Sequence, residues 1–373
     1  MIEIREVKTR KQKKQFIEFP LKLYKNNKYF VPPLYSDEWA IFKKDYHYYE
    51  HSEAVYYLAY IDNKVVGRIS GILQKASNEK WNQKRVRFTR FDCIDNQEVA
   101  DALFKTIEDW AKSKKMEEVV GPLGFSDLER EGLLIEGFDE VSTFEEQYNY
   151  PYYKKLIENN GYEKEVDWIE RQLKAPKEID PRLEKISSMM MKKYNLHYGN
   201  AKNINDFIKK YADGFFDIID QTYDKIYGTV PITEKMRKNL IKSFKLIVNK
   251  EYVDVILDEN NRIVCFGLVF PSLSKALIGT KGKLTPITLI KLLKAIKKPE
   301  SLDFGLIGVI PEYAMKGVAS ALINRSMNLL SSGKYLYAET NLTLETNINI
   351  QNQWKLFDSR IHKRRRSFVK KII

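Results

Sequence analysis

Cysteine is almost absent from the 373-residue chain, which has only Cys93 and Cys265. The two lie far apart, each inside an apolar run typical of a strand, so neither a disulfide framework nor a zinc site is expected. Glycine and proline are also scarce, with 17 and 12 residues, which excludes a fibrous or low-complexity chain. We therefore expect a globular protein in which both cysteines are buried thiols.

Long apolar runs are missing as well. No segment reaches the roughly eighteen apolar residues of a membrane span, and the N-terminal segment MIEIREVKTRKQKKQF is charged where a signal peptide would be apolar. These absences predict a soluble, cytoplasmic protein. The four histidines, His47, His51, His197 and His362, show neither metal-ligand spacing nor a partnered nucleophile, so we assign them no role and expect no metal.

Acidic residues are outnumbered by basic ones, which gives a net charge of +13. This excess suits an anionic partner, which could be nucleic acid, a membrane surface or a phosphorylated cofactor. The basic residues are dispersed and accompany no DNA- or RNA-binding motif, so no specific nucleic acid is expected. The run PITLIKLLKAIKK predicts a basic amphipathic helix with Ile287, Ile290, Leu293 and Ile296 on one face. That face either packs on the protein or makes peripheral contact with an anionic membrane.

The order of predicted elements occurs twice. In the first half, three strand-like runs precede a helix over Glu98 to Lys115 and the strand EVVGPLG; the runs are AVYYLAYI, VVGRISGIL and VRFTRFDCI. Between the first two runs, Asp62-Asn63-Lys64 predicts a hairpin turn. The same β-β-β-α-β order returns in YVDVIL, IVCFGLVF, DFGLIGVI, a helix over Lys316 to Leu330, and YLYAETNL. The stretch KAPKEIDPR is the best linker. We predict two duplicated domains, residues 1–174 and 182–373.

One strand-to-helix junction predicts an anion site. The strand GLIGVI ends at Pro311, and a helix begins near Gly317, where Gly317 and Ala319 leave the backbone open. Amides in the first turn of a helix have no internal partner and carry the positive end of the helix dipole, so a diphosphate can bind there. The residues expected to form this site are Val309, Ile310, Lys316, Gly317, Val318, Ala319 and Ser320.

This junction resembles the loop of the GNAT superfamily of acyl-CoA N-acyltransferases, Gln/Arg-x-x-Gly-x-Gly/Ala. Here the loop reads Ala314-Met315-Lys316-Gly317-Val318-Ala319, so Ala314 replaces the usual Gln or Arg and Lys316 is the residue that could compensate. The segment ETNLTLETNINIQNQWKLFDSR resembles the family's next strand and helix, with Asn347, Ile350, Gln353 and Trp354 at its motif positions. The resemblance implies that Asn347 also binds the cofactor. The whole chain resembles bacterial tandem GNAT-like proteins in VPPLYSDE, NEKWNQKRVRF, GPLGFSDLEREGLLIEGFDE and YNYPYYKKLIE.

The resemblance implies an α/β fold with a mixed (α+β) sheet, made of two GNAT-like domains in tandem. It implies an N-acyltransferase that uses acetyl-CoA or a longer acyl-CoA as co-substrate and a small-molecule or lipid amine as acceptor, and that transfers an acyl group other than amino-acyl. A lipid amine or long-chain donor would match GNAT-like enzymes of the bacterial ceramide synthase type. The first domain would be degenerate, because its junction contains Asp92, Asp95 and Glu98 and no glycine. The sequence carries no signal for oligomeric state.

Two glutamates are the candidates for the catalytic base. Glu345, and with less support Glu339, follow the binding helix, and their spacing of six residues would place both on one face of a strand. Trp354 stands where many GNAT enzymes have a tyrosine that protonates the leaving thiolate, and an indole cannot do so. The alternatives remain open that both glutamates are solvated strand ends and that the protein is a catalytically inactive ligand-binding or interaction module.

An acidic run and an aromatic run in the first half are the last candidates for a substrate cleft. The tyrosines could instead form a packing cluster near Pro151, and this second interpretation is favoured. The residues of the two runs are Asp127, Glu129, Glu136 and Asp139, followed by Tyr148, Tyr150, Tyr152 and Tyr153.

Overall fold

Strands from both halves of the sequence form one mixed sheet in the computed structural model, which describes residues 1–373 except for the side chain of Lys250. The strands are Glu3–Glu6 (β1), Ser52–Ile61 (β2), Lys64–Gln74 (β3), Arg85–Cys93 (β4), Glu118–Gly121 (β5), Leu133–Glu136 (β6), Glu163–Lys174 (β7), His197–Tyr198 (β8), Val253–Leu257 (β9), Ile263–Pro271 (β10), Leu302–Val309 (β11), Ala338–Thr340 (β12), Thr343–Leu344 (β13) and Asp358–Lys371 (β14).

Helices cover both faces of this sheet and its connections. They are Arg10–Leu23 (α1), Tyr35–Ala40 (α2), Lys75–Trp81 (α3), Gln97–Ser113 (α4), Tyr152–Asn159 (α5), Pro181–Lys193 (α6), Ile204–Thr222 (α7), Glu234–Ile247 (α8), Ser274–Leu277 (α9), Pro286–Lys297 (α10), Pro311–Ala314 (α11), Ala319–Ser331 (α12) and Ile348–Trp354 (α13). Short 3₁₀ turns occur at His47–Glu50 and Lys250–Tyr252. No helix among the described residues is long and apolar enough to cross a membrane.

The duplicated order of elements is confirmed. β2, β3, β4, α4 and β5 are followed in the second half by β9, β10, β11, α12 and β12, and in each set the last strand pairs in parallel with the third. The turn between β2 and β3 has positive φ at Asp62 and Asn63, as a two-residue hairpin turn requires. The α/β class with a mixed sheet, predicted from the sequence, is therefore correct.

The two halves exchange a strand at the centre of the sheet. The order is β1-β2-β3-β4-β5-β14-β7-β12-β11-β10-β9-β8. β14, from the second half, pairs with β5, while β7, from the first half, pairs with β12. β7 and β14 also pair with each other along most of their length. The division into residues 1–174 and 182–373 stays a prediction about the sequence, because strand pairing crosses it in both directions.

Two apolar cores lie on either side of this exchange. Val99, Leu103 and Ile107 of α4 are buried on the first half of the sheet, and Gly71 lies so close to Trp110 that a Cβ would approach the indole to 3.0 Å. A second core joins α7 to β10 and α12. Cys93 and Cys265 are buried thiols, as expected.

Two basic segments differ in exposure. The run HKRRRSFVKK lies within β14, where Lys363 and Arg365 are fully buried in ion pairs. The helix predicted in PITLIKLLKAIKK is present as α10, but of its predicted apolar face only Ile296 packs on the protein. Ile287, Ile290 and Leu293 are 70%, 67% and 56% exposed.

Candidate active site

A cavity of about 710 Å³ opens where β11 and β12 separate. The two strands pair only from Leu302 opposite Ala338 to Phe304 opposite Thr340. Beyond Phe304, β11 continues beside β10, and residues 305–309 line the cavity together with residues 340–344. The divergence leaves one edge of β11 without a strand partner, so its polar backbone groups face the cavity.

The main chain at Ile307 points to this open side. Its carbonyl oxygen accepts a hydrogen bond of 3.0 Å from Tyr223 Oη, and Tyr223 itself lines the cavity. In an extended strand the N–H and C=O of one residue project to the same side. The Ile307 amide therefore faces the cavity too, where it could stabilise a developing oxyanion.

The N-terminus of α12 provides a second set of open amides. The N–H groups of Gly317, Val318 and Ala319 make no hydrogen bond to any described group, and no side chain caps the helix. Gly317 has a φ of 73°, which favours glycine. Ala319 lines the cavity, and the buried Oγ of Ser320 has no partner among the described residues. These features fit a bound diphosphate, because its oxygens would satisfy donors left free.

The other residues predicted for cofactor binding divide between cavity and core. Val309 and Asn347 line the cavity, and Asn347 also accepts a hydrogen bond from the Ile350 amide at the start of α13. Ile310 and Val318 are buried beneath the loop. The ammonium of Lys316 lies 4.3 Å from the centre of the Tyr313 ring, a cation–π contact that leaves it beside the open amides. Their roles in binding stay predictions.

Trp354 lines the same cavity and packs into its wall. Its side chain is buried, and its ring centre lies 6.0 Å from that of Phe304 and 6.1 Å from that of Phe357. Hydroxyl groups lie elsewhere around the cavity, on Tyr223 and Tyr227. Burial raises the pKa of both tyrosines, so both are protonated at neutral pH. A raised pKa makes a tyrosine a weaker acid, so neither hydroxyl is a good proton donor to a thiolate.

Carboxyl groups from the first half form another wall, in which Glu131 and Glu146 are buried and Glu145 is half-buried. Glu145 and Glu146 lie between β6 and α5, and burial raises the pKa of Glu145 to about 7 and that of Glu146 to about 8. Burial also raises the pKa of Glu131, which shares the cavity. Two glutamates in a loop have no periodicity, so sequence reasoning missed them. The only signal was their position just before the aromatic run.

The predicted acidic and aromatic runs lie in different places, the first partly at the cavity and the second in the first core. Asp127 and Glu129 line the cavity, and Glu136 and Asp139 are not among its lining residues. The tyrosines pack around Tyr24 in the first core, as the favoured interpretation expected: Tyr148, Tyr150, Tyr152 and Tyr153. His47, to which the sequence assigned no role, also lines the cavity.

Neither predicted base lines the cavity. Glu345 accepts a hydrogen bond of 2.5 Å from Lys164 Nζ and a second, of 3.2 Å, from Arg364. Glu339 is buried and lies 3.0 Å from Lys363 Nζ. The two glutamates do not share a face of one strand, because their segment divides into β12 and β13. Their catalytic roles stay predictions without support from the geometry.

Lys363 and Arg365 join the two halves beneath the cavity. Lys363 Nζ lies 2.9 Å from Glu170 and 3.0 Å from Glu339, and Arg365 Nε lies 2.7 Å from Glu170. Glu170, Glu339 and His362 approach closely enough to hold a cation, and the Lys363 ammonium supplies that positive charge. Burial lowers the pKa of His362 to about 3, so this histidine is neutral at physiological pH.

The corresponding junction of the first half is closed. Asp92 accepts hydrogen bonds of 2.8 Å from Arg68 and 2.9 Å from Tyr24. Asn96 caps α4 by accepting a hydrogen bond from the Val99 amide. The Asn96 amide also bonds to the Ile94 oxygen, and Glu98 places a carboxylate in the first turn of α4, which disfavours a bound anion.

Comparison with known proteins gives similar chains of the same length. Protein YghO of Escherichia coli (strain K12) is 26% identical over 369 residues, which cover 96% of this chain and 93% of that protein. A bacterial ceramide synthase of Caulobacter vibrioides (strain NA1000 / CB15N) is 26% identical over 315 residues, which cover 82% of this chain and 80% of that protein. No protein-family model matches.

Among solved structures, the chain resembles a tandem GNAT protein from the clavulanic acid biosynthesis pathway, solved without AcCoA. The TM-score is 0.56 at 10% sequence identity, and the superposition covers 100% of this chain and 99% of the other. The superposition therefore extends over both halves of the chain. The protein therefore has the tandem GNAT fold.

Proposed function

We propose that the protein transfers an acyl group from acyl-CoA to an amine. The observation that carries this proposal is the set of open amides at Gly317, Val318 and Ala319, beside a cavity formed by the splayed strands β11 and β12. The diphosphate of the co-substrate would bind these amides. Its pantetheine arm and acyl group would then extend along the free edge of β11.

The same cavity supplies groups for the reaction. The amine nitrogen attacks the thioester carbonyl carbon, so a C–N bond forms while the C–S bond breaks. The Ile307 amide stabilises the negative oxygen of the tetrahedral intermediate. Glu145 accepts the proton that the amine loses, and its pKa of about 7 suits a general base at neutral pH.

The leaving thiolate needs no protein acid. A thiol has an ordinary pKa of about 8.5, so a thiolate can leave without full protonation. Burial raises the pKa of Tyr223 and Tyr227 and makes both weaker acids than the thiol. Water would therefore supply the thiol proton.

A long-chain or lipid substrate suits the walls of the cavity. Phe144, Phe244, Ile247, Phe270 and Phe304 are among its apolar lining residues, and such surfaces bind hydrocarbon by burial from water. Similarity to a bacterial ceramide synthase supports the same substrate class. We propose a lipid amine as acceptor and a long-chain acyl-CoA as donor.

The test is release of free CoA thiol from acyl-CoA in the presence of an amine. We expect palmitoyl-CoA with a sphingoid base to give faster release than acetyl-CoA with a water-soluble amine. Mass spectrometry must then detect the N-acyl product. CoA binding without release on any amine would contradict the proposal and favour the alternative, an inactive ligand-binding module.

A further inference from the structure

An exposed apolar surface lies on the insertion between β10 and β11. Five large apolar side chains of this segment are 44% to 70% exposed, namely Leu284, Ile287, Leu289, Ile290 and Leu293. Leu284 lies just before α10 and the other four lie on it. The other side of the helix is packed: Thr288 is buried, and Leu292, Ala295 and Ile296 contact an apolar cluster. A contiguous exposed patch of this kind marks an interaction surface. We call these five side chains the α10 patch.

The charge around the α10 patch is positive. Residues 277–301 contain six lysines and one glutamate, a net charge of +5. The lysines are exposed and form no ion pair within the described part of the chain: Lys281, Lys283, Lys291, Lys294, Lys297 and Lys298. Apolar side chains bordered by free lysines are complementary to an anionic lipid surface, where the apolar groups insert and the ammonium groups meet phosphates.

The insertion is held firmly against the first half. The Tyr35 amide donates a hydrogen bond of 2.8 Å to the carbonyl oxygen of Gly282. Gly282 has a φ of 68°, and a Cβ there would lie 1.8 Å from the Pro33 oxygen, so only glycine permits this contact. The α10 patch is therefore displayed at a fixed position.

That position adjoins the cavity. The packed side of α10 shares an apolar cluster with Phe144 and Ile247, and both of these residues also line the cavity. Phe144 directly precedes the candidate base Glu145. A lipid that leaves a bilayer at the α10 patch would therefore be close to the apolar walls of the cavity.

We propose that the α10 patch docks the protein on an anionic lipid bilayer, from which the lipid amine reaches the cavity. The docking surface is defined without reference to catalysis, but the delivery of an acceptor rests on the proposed function. A bilayer fits better than a protein partner because the patch combines inserted aliphatic groups with unpaired lysines and lacks the aromatic anchors of protein interfaces.

Vesicle co-sedimentation of the full chain tests the docking. Vesicles of phosphatidylcholine with phosphatidylglycerol are compared with vesicles of phosphatidylcholine alone. We expect binding to the anionic vesicles only, and the variant Ile287→Ser/Ile290→Ser should weaken it about tenfold or more. The matched control is Ile186→Ser/Met189→Ser, which changes two exposed apolar residues of α6 and should bind like the wild type.

Two further measurements separate the outcomes. The CoA-induced thermal shift, recorded without vesicles, should be the same in wild type and in the Ile287→Ser/Ile290→Ser variant, so failure of docking is distinguishable from failure of CoA binding. Light scattering gives the mass in solution. A dimer that the same variant converts to monomer would overturn the proposal, because the occupant would be a second copy. Undiminished vesicle binding by the variant, or equal binding to neutral vesicles, would also overturn it.

Discussion

Arg365 donates a hydrogen bond from Nη1 to the main-chain oxygen of Gln147, the residue that follows Glu146. Lys363, on the same strand, donates a hydrogen bond of 3.2 Å to the main-chain oxygen of Val141. Both donors are fully buried. The loop that presents the carboxyl groups of Glu145 and Glu146 to the cavity thus belongs to the first half of the sequence and is positioned by β14 from the second. Neither half contains the candidate site alone.

The diphosphate site is tested at Gly317. Gly317→Glu places a carboxylate beside the open amides and should abolish the thermal stabilisation by CoA, because ligand binding raises stability by mass action. Gly333→Glu is a matched control at the other end of α12, with a φ of 70° against 73° at Gly317. We expect it to retain the shift. Full stabilisation of the Gly317→Glu protein by CoA would exclude this junction as the binding site.

The number of CoA sites follows from the closed junction of the first half. Asn96 caps α4, and Glu98 places a carboxylate in its first turn, so the first half disfavours a bound diphosphate. Titration calorimetry should give one CoA per chain. A stoichiometry near two would mean that the first half opens a second site.

Two variants compare the base predicted from sequence with the base favoured by geometry. Glu145→Gln should lower kcat/KM about a hundredfold or more, the usual effect of losing a general base, whereas Glu345→Gln removes an ion-paired carboxylate outside the cavity and should change it little. The wild-type rate should rise with pH through about 7, the pKa of Glu145. A larger loss of kcat/KM in Glu345→Gln than in Glu145→Gln would instead identify Glu345 as the base.

Glu146 predicts a dependence of stability on pH. Its pKa rises from an ordinary 4.5 to about 8 on folding, mainly through burial, so the folded state binds a proton more tightly than the unfolded state. The free energy of unfolding gained from this tighter proton binding is complete below pH 4.5 and is lost as the pH rises to about 8. Glu146→Gln should therefore lose less stability between pH 5 and pH 8 than wild type does, measured by urea unfolding. The exposed Glu136→Gln is the control, and equal losses in all three proteins would contradict the prediction.

The sequence predicted those features that depend on neighbouring residues. The turn at Asp62-Asn63 and the open loop at Gly317 follow from local backbone chemistry, and both are present. Strand exchange was not predictable, because periodicity identifies a strand but not its partner some two hundred residues away. The same limit explains Glu345, whose ion pair with Lys164 depends on that exchange. For α10, the apolar pattern predicted the helix correctly, but the spacing of its apolar residues does not determine which side of the helix is exposed to solvent.

The exchange of β7 and β14 also fixes when the fold can be completed during synthesis. Until residues 358–371 leave the ribosome, β5 has no neighbour on its outer side and β7 lacks its longest pairing. An unpaired edge of this kind invites association with other chains. The nascent first half must therefore avoid such association while nearly two hundred further residues are synthesised. Cleavage of the finished protein between residues 175 and 180 would leave two fragments still bound through the same strands.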